Sequence, residues 1–192
     1  VTIPNAPEKY ADKHVLFRKR FNASGDLSGA VLKITADDYF KLYINGKFVT
    51  QGPPPSYPDA YYFMELPVGK FLKKGENVIA VHTLYQGLIN RVWVSGDNRE
   101  SLWAELIVDG EVVLATDESW KCKISSAYSP LSVVGYDTQY MELFDSRPEE
   151  IGFEKENFDD GGWQNAKIKK YNDYNLIKSP IEPLEIYDIE PK

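Results

Sequence analysis

The stretch Tyr39–Thr50, YFKLYINGKFVT, decides the fold. Phe40, Leu42 and Ile44 fall on one side of it, and Tyr39, Lys41 and Tyr43 on the other. Successive side chains of a strand point to opposite faces, so this alternation describes a half-buried strand. Asn45-Gly46 follows, a pair suited to the positive φ angles of a type I′ turn, and KFVT returns. The same grammar recurs downstream, where LWAELIV is joined to EVVLAT by Asp109-Gly110. Two tight hairpins commit this chain to antiparallel sheet.

Outward from these hairpins the period stays at two. HVLFRKRF places Val15, Phe17, Lys19 and Phe21 on one side, and GAVLKITAD does the same with Ala30, Leu32, Ile34 and Ala36. Within FRKRF, Arg18 and Arg20 share the opposite face, which reads as solvated. NVIAVHTLY is apolar on both faces and predicts a central strand, entered through a turn at Lys73–Asn77. SWKCKIS supplies a further strand, and LPVGKFLKKG allows one short helical turn. No segment sustains a helical period over three turns. The class is therefore all-β: an antiparallel sandwich or jelly roll, with about eight to ten strands around one core.

A chain of 192 residues suits one domain of the larger all-β kind with terminal extensions. Residues 1–13 read as an N-terminal arm and 14–178 as the sandwich. Residues 179–192 hold three prolines and read as a linker or edge strand leading to a downstream domain. From Tyr136 the run GYDTQYMELFDSRPEEIGFEKENFDDGGWQNA turns acidic, aromatic and irregular. It predicts a long connection wrapping the sandwich edge, with a last strand near AKIKKY.

Composition narrows the functions. A net charge of −7 without a clustered basic surface argues against nucleic acid as a partner. No apolar run approaches the length of a membrane span, so a soluble protein is expected and a membrane partner is not. The compartment, bacterial cytoplasm or exported, is left open. Cys122 is the single cysteine, so no intrachain disulfide forms, and its place between Lys121 and Lys123 predicts burial. His14 and His82 are the two histidines, both in strand-like runs. That is too few ligands for a tetrahedral zinc site, and both read as structural, so neither metal nor cofactor is expected.

Carboxylates raise two further questions. Glu142 and Asp145 stand three apart in MELFDSR, with Arg147 beyond them. They read either as a hydrolytic pair or, preferred here, as groups that pin an irregular segment by charge-assisted hydrogen bonds. Asp159-Asp160-Gly161-Gly162 reads as an aspartate-capped turn rather than a calcium loop. Sugar binding makes a different demand: an aromatic platform for the C–H face, with planar polar groups beside it. Two stretches offer that mixture. GPPPSYPDAYYF holds Tyr57, Asp59 and Tyr61 on a proline-stiffened backbone, and NRVWVSGDNRESLW holds Asn90, Arg91, Trp93, Asp97 and Asn98. Docking against the rest of a parent enzyme would use the same residues, and in the plainest reading Tyr61, Tyr62 and Trp93 pack under the loops while the polar groups bond the backbone.

Several phrases occur in one order: FRKRF, ADDYFKLYINGKFV, GENVIAVHTLYQG, TDESWK, YMELFDSR and NFDDGGWQNA. From about Phe17 to Pro183 the chain thereby resembles the N-terminal β-sandwich region of bacterial α-L-rhamnosidases of the glycoside hydrolase family 78 kind. More loosely it resembles the galactose-binding-like sandwich of β-galactosidase-type glycosidases. The pairing of MELFDSR, Met141–Arg147, with FDDGGW, Phe158–Trp163, favours the first. The resemblance implies a galactose-binding-like fold and a non-catalytic accessory domain. It also implies a downstream catalytic domain, a helical barrel, as partner in the same polypeptide, and a rhamnose-containing carbohydrate as candidate ligand. The proline-rich loop and the long polar connection after NVIAVHTLYQG depart from the common pattern. An independent carbohydrate-binding module, or the N-terminal sugar-binding domain of a β-galactosidase-type enzyme, is the alternative reading.

Overall fold

A computed structural model describes residues 1–4, 11–57, 59–90, 100–170, 175–187 and 189–190. The principal strands in chain order are β1 (Lys13–Ala23), β2 (Val31–Asp37), β3 (Tyr39–Ile44), β4 (Lys47–Gly52) and β5 (Tyr61–Pro67). Then come β6 (Gly75–Tyr85), β7 (Ser101–Val108), β8 (Glu111–Ala115) and β9 (Lys121–Ile124). Short strands follow: β10 (Tyr128–Ser129), β11 (Val133–Val134), β12 (Gln139–Tyr140), β13 (Leu143–Phe144), β14 (Gln164–Asn165) and β15 (Leu176–Lys178). One 3-10 turn, Gly69–Phe71, meets the expectation of a short helical turn.

Two sheets enclose one core. The six-stranded sheet runs β14-β9-β1-β6-β3-β4 and the five-stranded sheet β15-β5-β2-β7-β8. The pairing is antiparallel except where β15 joins β5. This is the expected all-β sandwich, and NVIAVHTLY lies centrally as β6, between β1 and β3. Phe17, Leu42, Val81 and Cys122 face inward from the larger sheet, and Leu32, Ile34, Leu102 and Leu106 from the smaller. Each is fully buried, as period two requires.

Both hairpin turns are of the expected kind. Asn45 and Gly46 have φ of 51° and 78°, and Asp109 and Gly110 of 51° and 82°. Asn45 does more than turn the chain. Its amide nitrogen donates to the oxygen of buried Asn77 at 2.9 Å, and its own oxygen accepts the Val78 N–H at 2.9 Å. Asn77 in turn donates to the carbonyls of Lys73 and Gly75. The Asn45 turn and the Lys73–Asn77 turn are thus held together by two amides.

The C-terminal stretch departs from the sequence reading. It crosses the outer face of the six-stranded sheet, where the reading placed it along an edge. Two two-stranded ribbons, β10-β13 and β11-β12, lie within it. The strand expected near AKIKKY falls just before it, as β14 on β9, with Lys167 bridged to Thr2. Alternation missed these strands because two or three residues are too few to show a period.

Candidate functional site

β2, β4 and β6 end, and β1, β3, β5 and β7 begin, at one end of the sandwich. The described parts of the connections after β4 and β6, residues 53–57, 59–60 and 86–90, therefore share one rim. Tyr57 is 65% exposed there, and Asp59 is exposed beside it. The loop is tied back where Ala60 donates its N–H to the Tyr57 carbonyl and Tyr62 donates to the Ser56 hydroxyl. Tyr61 is turned inward instead: its ring is buried and its hydroxyl donates to the Ala36 carbonyl at 3.1 Å. Asn90 is half-buried and donates to the Asp137 carbonyl at 2.7 Å, joining this rim to the β11-β12 ribbon. Arg91, Trp93, Asp97 and Asn98 lie outside the described residues.

A second feature is the covered outer face of the six-stranded sheet. Register aligns Arg18 with Ala80 and Lys121, and Ala80 with Tyr43, across its strands. Residues 150–160 lie over this row. The expectation of a solvated Arg18 is wrong: the side chain is fully buried. Its Nε donates to Asp160 at 2.8 Å, and its other nitrogens donate to the carbonyls of Phe153, Lys155 and Phe158. The guanidinium also stands 5.2 Å from the centre of the Phe158 ring. A buried cation needs this many acceptors, because each unmatched donor would have lost its water. Arg20, on the same face, remains exposed and pairs with Glu76 at 3.3 Å.

Glu150 is the second anchor of the covering segment. Buried, it accepts the N–H groups of Ser126 and Ala127 and the hydroxyls of Ser125 and Ser126, and it lies 3.4 Å from Lys123. Burial raises the pKa of this carboxyl, but the hydrogen bonds and Lys123 prevail and hold it below the usual range. Sequence reasoning assigned a pinning role to Glu142, Asp145 and Arg147 and did not single out Glu150. Half-buried Asp145 and exposed Arg147 pair with each other at 2.6 Å, and Glu142 is exposed. Nothing in PEEIG separates Glu149 from Glu150, since only the fold buries one and leaves the other in water. In FDDGGW, Asp159 accepts the Gly161 N–H at 2.9 Å, as an aspartate-capped turn should.

Further along the same face, His14 and His82 share a hydrogen bond of 2.9 Å between Nδ1 and Nε2. The Tyr128 ring stacks on His14 at 3.8 Å with an interplanar angle of 4°. Burial, helped by the nearby Lys41 charge, lowers the His14 pKa to about 4 and that of His82 to about 3. Both rings are neutral near pH 7, so one can donate its N–H to the bare ring nitrogen of the other. Burial also pushes the Cys122 thiol up to about 12, which removes it as a nucleophile. Glu100 is buried against the Thr2 hydroxyl at 2.9 Å, and burial raises its pKa to about 7. Among the described residues no group of three or more His, Cys, Asp or Glu is placed to hold a metal ion, and no helix is long and apolar enough to cross a membrane.

The family model for the alpha-L-rhamnosidase N-terminal domain matches residues 25–188. The chain belongs to this family. Its fold superposes on a GH78 family rhamnosidase of Bacillus sp. GL1 with a TM-score of 0.77 and 30% identity. That match covers 84% of the chain and 17% of the Bacillus enzyme. An alpha-L-rhamnosidase of Aspergillus terreus gives a TM-score of 0.75 at 26% identity, covering 92% of the chain and 22% of that enzyme. No curated protein matches the sequence. This rhamnosidase N-terminal domain thus spans about a fifth of the solved enzymes it is similar to.

Proposed function

We propose that the chain is the non-catalytic accessory domain of an α-L-rhamnosidase-like glycoside hydrolase. Its partner is a catalytic domain further along the same polypeptide, which the sandwich orients. Its loop rim, around Tyr57, Asp59 and Asn90, meets rhamnose-containing carbohydrate weakly. The observation that carries this reading is the coverage: nearly the whole chain matches, against a small part of each similar enzyme. Two features support it. Asp145 commits both carboxylate oxygens to Arg147, which disfavours Asp145 and Glu142 as a hydrolytic pair. Beyond β15, Ile181, Leu184, Ile186, Tyr187 and Ile189 are exposed, an apolar run suited to cover by a further domain.

Release of nitrophenol from an aryl α-L-rhamnoside tests the assignment. A longer polypeptide carrying a catalytic domain should turn the substrate over, and this chain alone should not. Turnover by this chain alone would overturn the reading.

A further inference from the structure

A pocket of about 250 Å³ opens on the outer face of the six-stranded sheet, beside the histidine pair. Its floor is set by register. Lys41 of β3 stands directly between His82 of β6 and Gln51 of β4. One step along, Leu84 stands between His14 and Tyr39. Glu142, from the segment between β12 and β13, completes the wall. The pocket therefore exists only where the C-terminal stretch lies on the sheet.

Its polar groups converge without partners of their own. Among the described residues, the side chains of Lys41, Gln51 and Glu142 take no hydrogen bond or ion pair. Together they offer three ammonium donors, an amide that both donates and accepts, and an acceptor-only carboxylate. Beside them, ring walls are held stiffly: His14 is fixed between Tyr128 and His82. Among the lining residues Lys41 and Glu142 bring one charge of each sign and the imidazoles are neutral, while Asp12 stands behind the wall, 3.8 Å from His14; the lining itself carries no net charge. Its volume lies below the roughly 300–1,000 Å³ of drug-sized sites, which limits it to a single ring.

We propose that this pocket binds one neutral sugar ring, its hydroxyls read by Lys41, Gln51 and Glu142 and its C–H face set against Tyr39. The site is separate from the loop rim, and it rests on the proposed reading only in that the domain meets carbohydrate.

Chemical-shift mapping of the chain with L-rhamnose, D-galactose and sulfate as probes tests it. A neutral sugar at millimolar concentration should move the His14, His82 and Gln51 signals in a saturable way. Lys41→Met and Glu142→Gln should each weaken that binding roughly tenfold, as expected for the loss of a charged hydrogen bond. The Glu65→Gln variant, on the other sheet, should leave it unchanged. Both pocket residues are exposed, so folding of the variants is checked by unchanged inner-face signals. No shift at the pocket with either sugar overturns the proposal, as does a response to sulfate alone. Shifts confined to Tyr57 and Asn90 would also overturn it while leaving the accessory role standing. Turnover of an aryl rhamnoside by this chain would fail the accessory role and leave the pocket standing.

Discussion

The two sheets present their outer faces to different fates. On the five-stranded sheet, Lys33, Glu65 and Glu105 line up across β2, β5 and β7, with Phe63 and Trp103 in edge contact at 5.7 Å alongside. All five are half-buried, and the row keeps its access to water. On the six-stranded sheet the corresponding face lies under residues 125–160. The polar groups buried there are matched: Arg18 with Asp160 and carbonyls, Glu150 with Ser126 and Ala127, His14 with His82. Alternation writes polar residues onto both faces. What differs is whether water remains, and with it what an unmatched group costs.

The largest effect is expected at Arg18. Arg18→Met removes the guanidinium and leaves the Asp160 carboxylate and several carbonyls facing apolar surface. A loss of about 3–5 kcal/mol is expected in urea denaturation, the range for breaking a buried ion pair. Arg20→Met, two residues on along the same strand, should cost at most about 1 kcal/mol. Equal losses at the two arginines would erase the difference between covered and open surface.

The histidine pair sharpens the same comparison through pH. A histidine whose pKa is depressed in the folded state takes its proton more readily when unfolded. Stability from His14 and His82 is therefore complete above the ordinary value of 6.5 and is lost as pH falls through about 4 and then about 3. Glu100 works in the opposite sense. Raised to about 7 by burial, it favours the fold at low pH and loses that contribution as pH rises from 4.5. Melting temperatures measured from pH 7 to pH 3.5 should fall towards acid, and the fall should be shallower in His14→Gln/His82→Gln. Glu100→Gln should steepen it. A double variant with the wild-type profile would mean that the covered face does not exclude water from the pair.

The smallest effect belongs to the open face. Glu65 and Lys178 pair at 2.9 Å in solvent, and this pairing holds the Glu65 carboxyl below its usual range. Glu65→Gln should change stability by no more than about 1 kcal/mol, and less in high salt. A larger loss in thermal unfolding would show that β15 depends on this pair rather than on its hydrogen bonds to β5.

Legibility followed the same division. The hairpins at Asn45-Gly46 and Asp109-Gly110, the inward set of Phe17, Leu32, Leu42 and Leu106, and burial of Cys122 were all readable, because each depends on neighbours within a few residues. At the rim, Tyr57 and Asp59 were found in exposed positions, while Tyr61 turned out to be buried, its hydroxyl on the Ala36 carbonyl. Alternation could have warned of this, since Tyr61 and Tyr62 point to opposite sides of β5. Arg18 and Glu150 were illegible for another reason. The Arg18 bond to Asp160 joins residues 142 positions apart. Nothing near FRKRF hints at the acidic, aromatic stretch that covers it.

By itself the sequence determined the period of each strand, the turn at each hairpin and hence a two-layered antiparallel core. These follow from the two-residue repeat of a strand and the positive φ of Asn-Gly and Asp-Gly, which are local properties of the backbone. Only the tertiary structure decided which outer face would be roofed, which of two adjacent glutamates would be buried, and that Lys41, Gln51 and Glu142 would meet around one pocket. A charged side chain is written the same way in a sequence whether it ends in water or beneath another segment. The difference is made by desolvation, and desolvation depends on where the rest of the chain comes to lie.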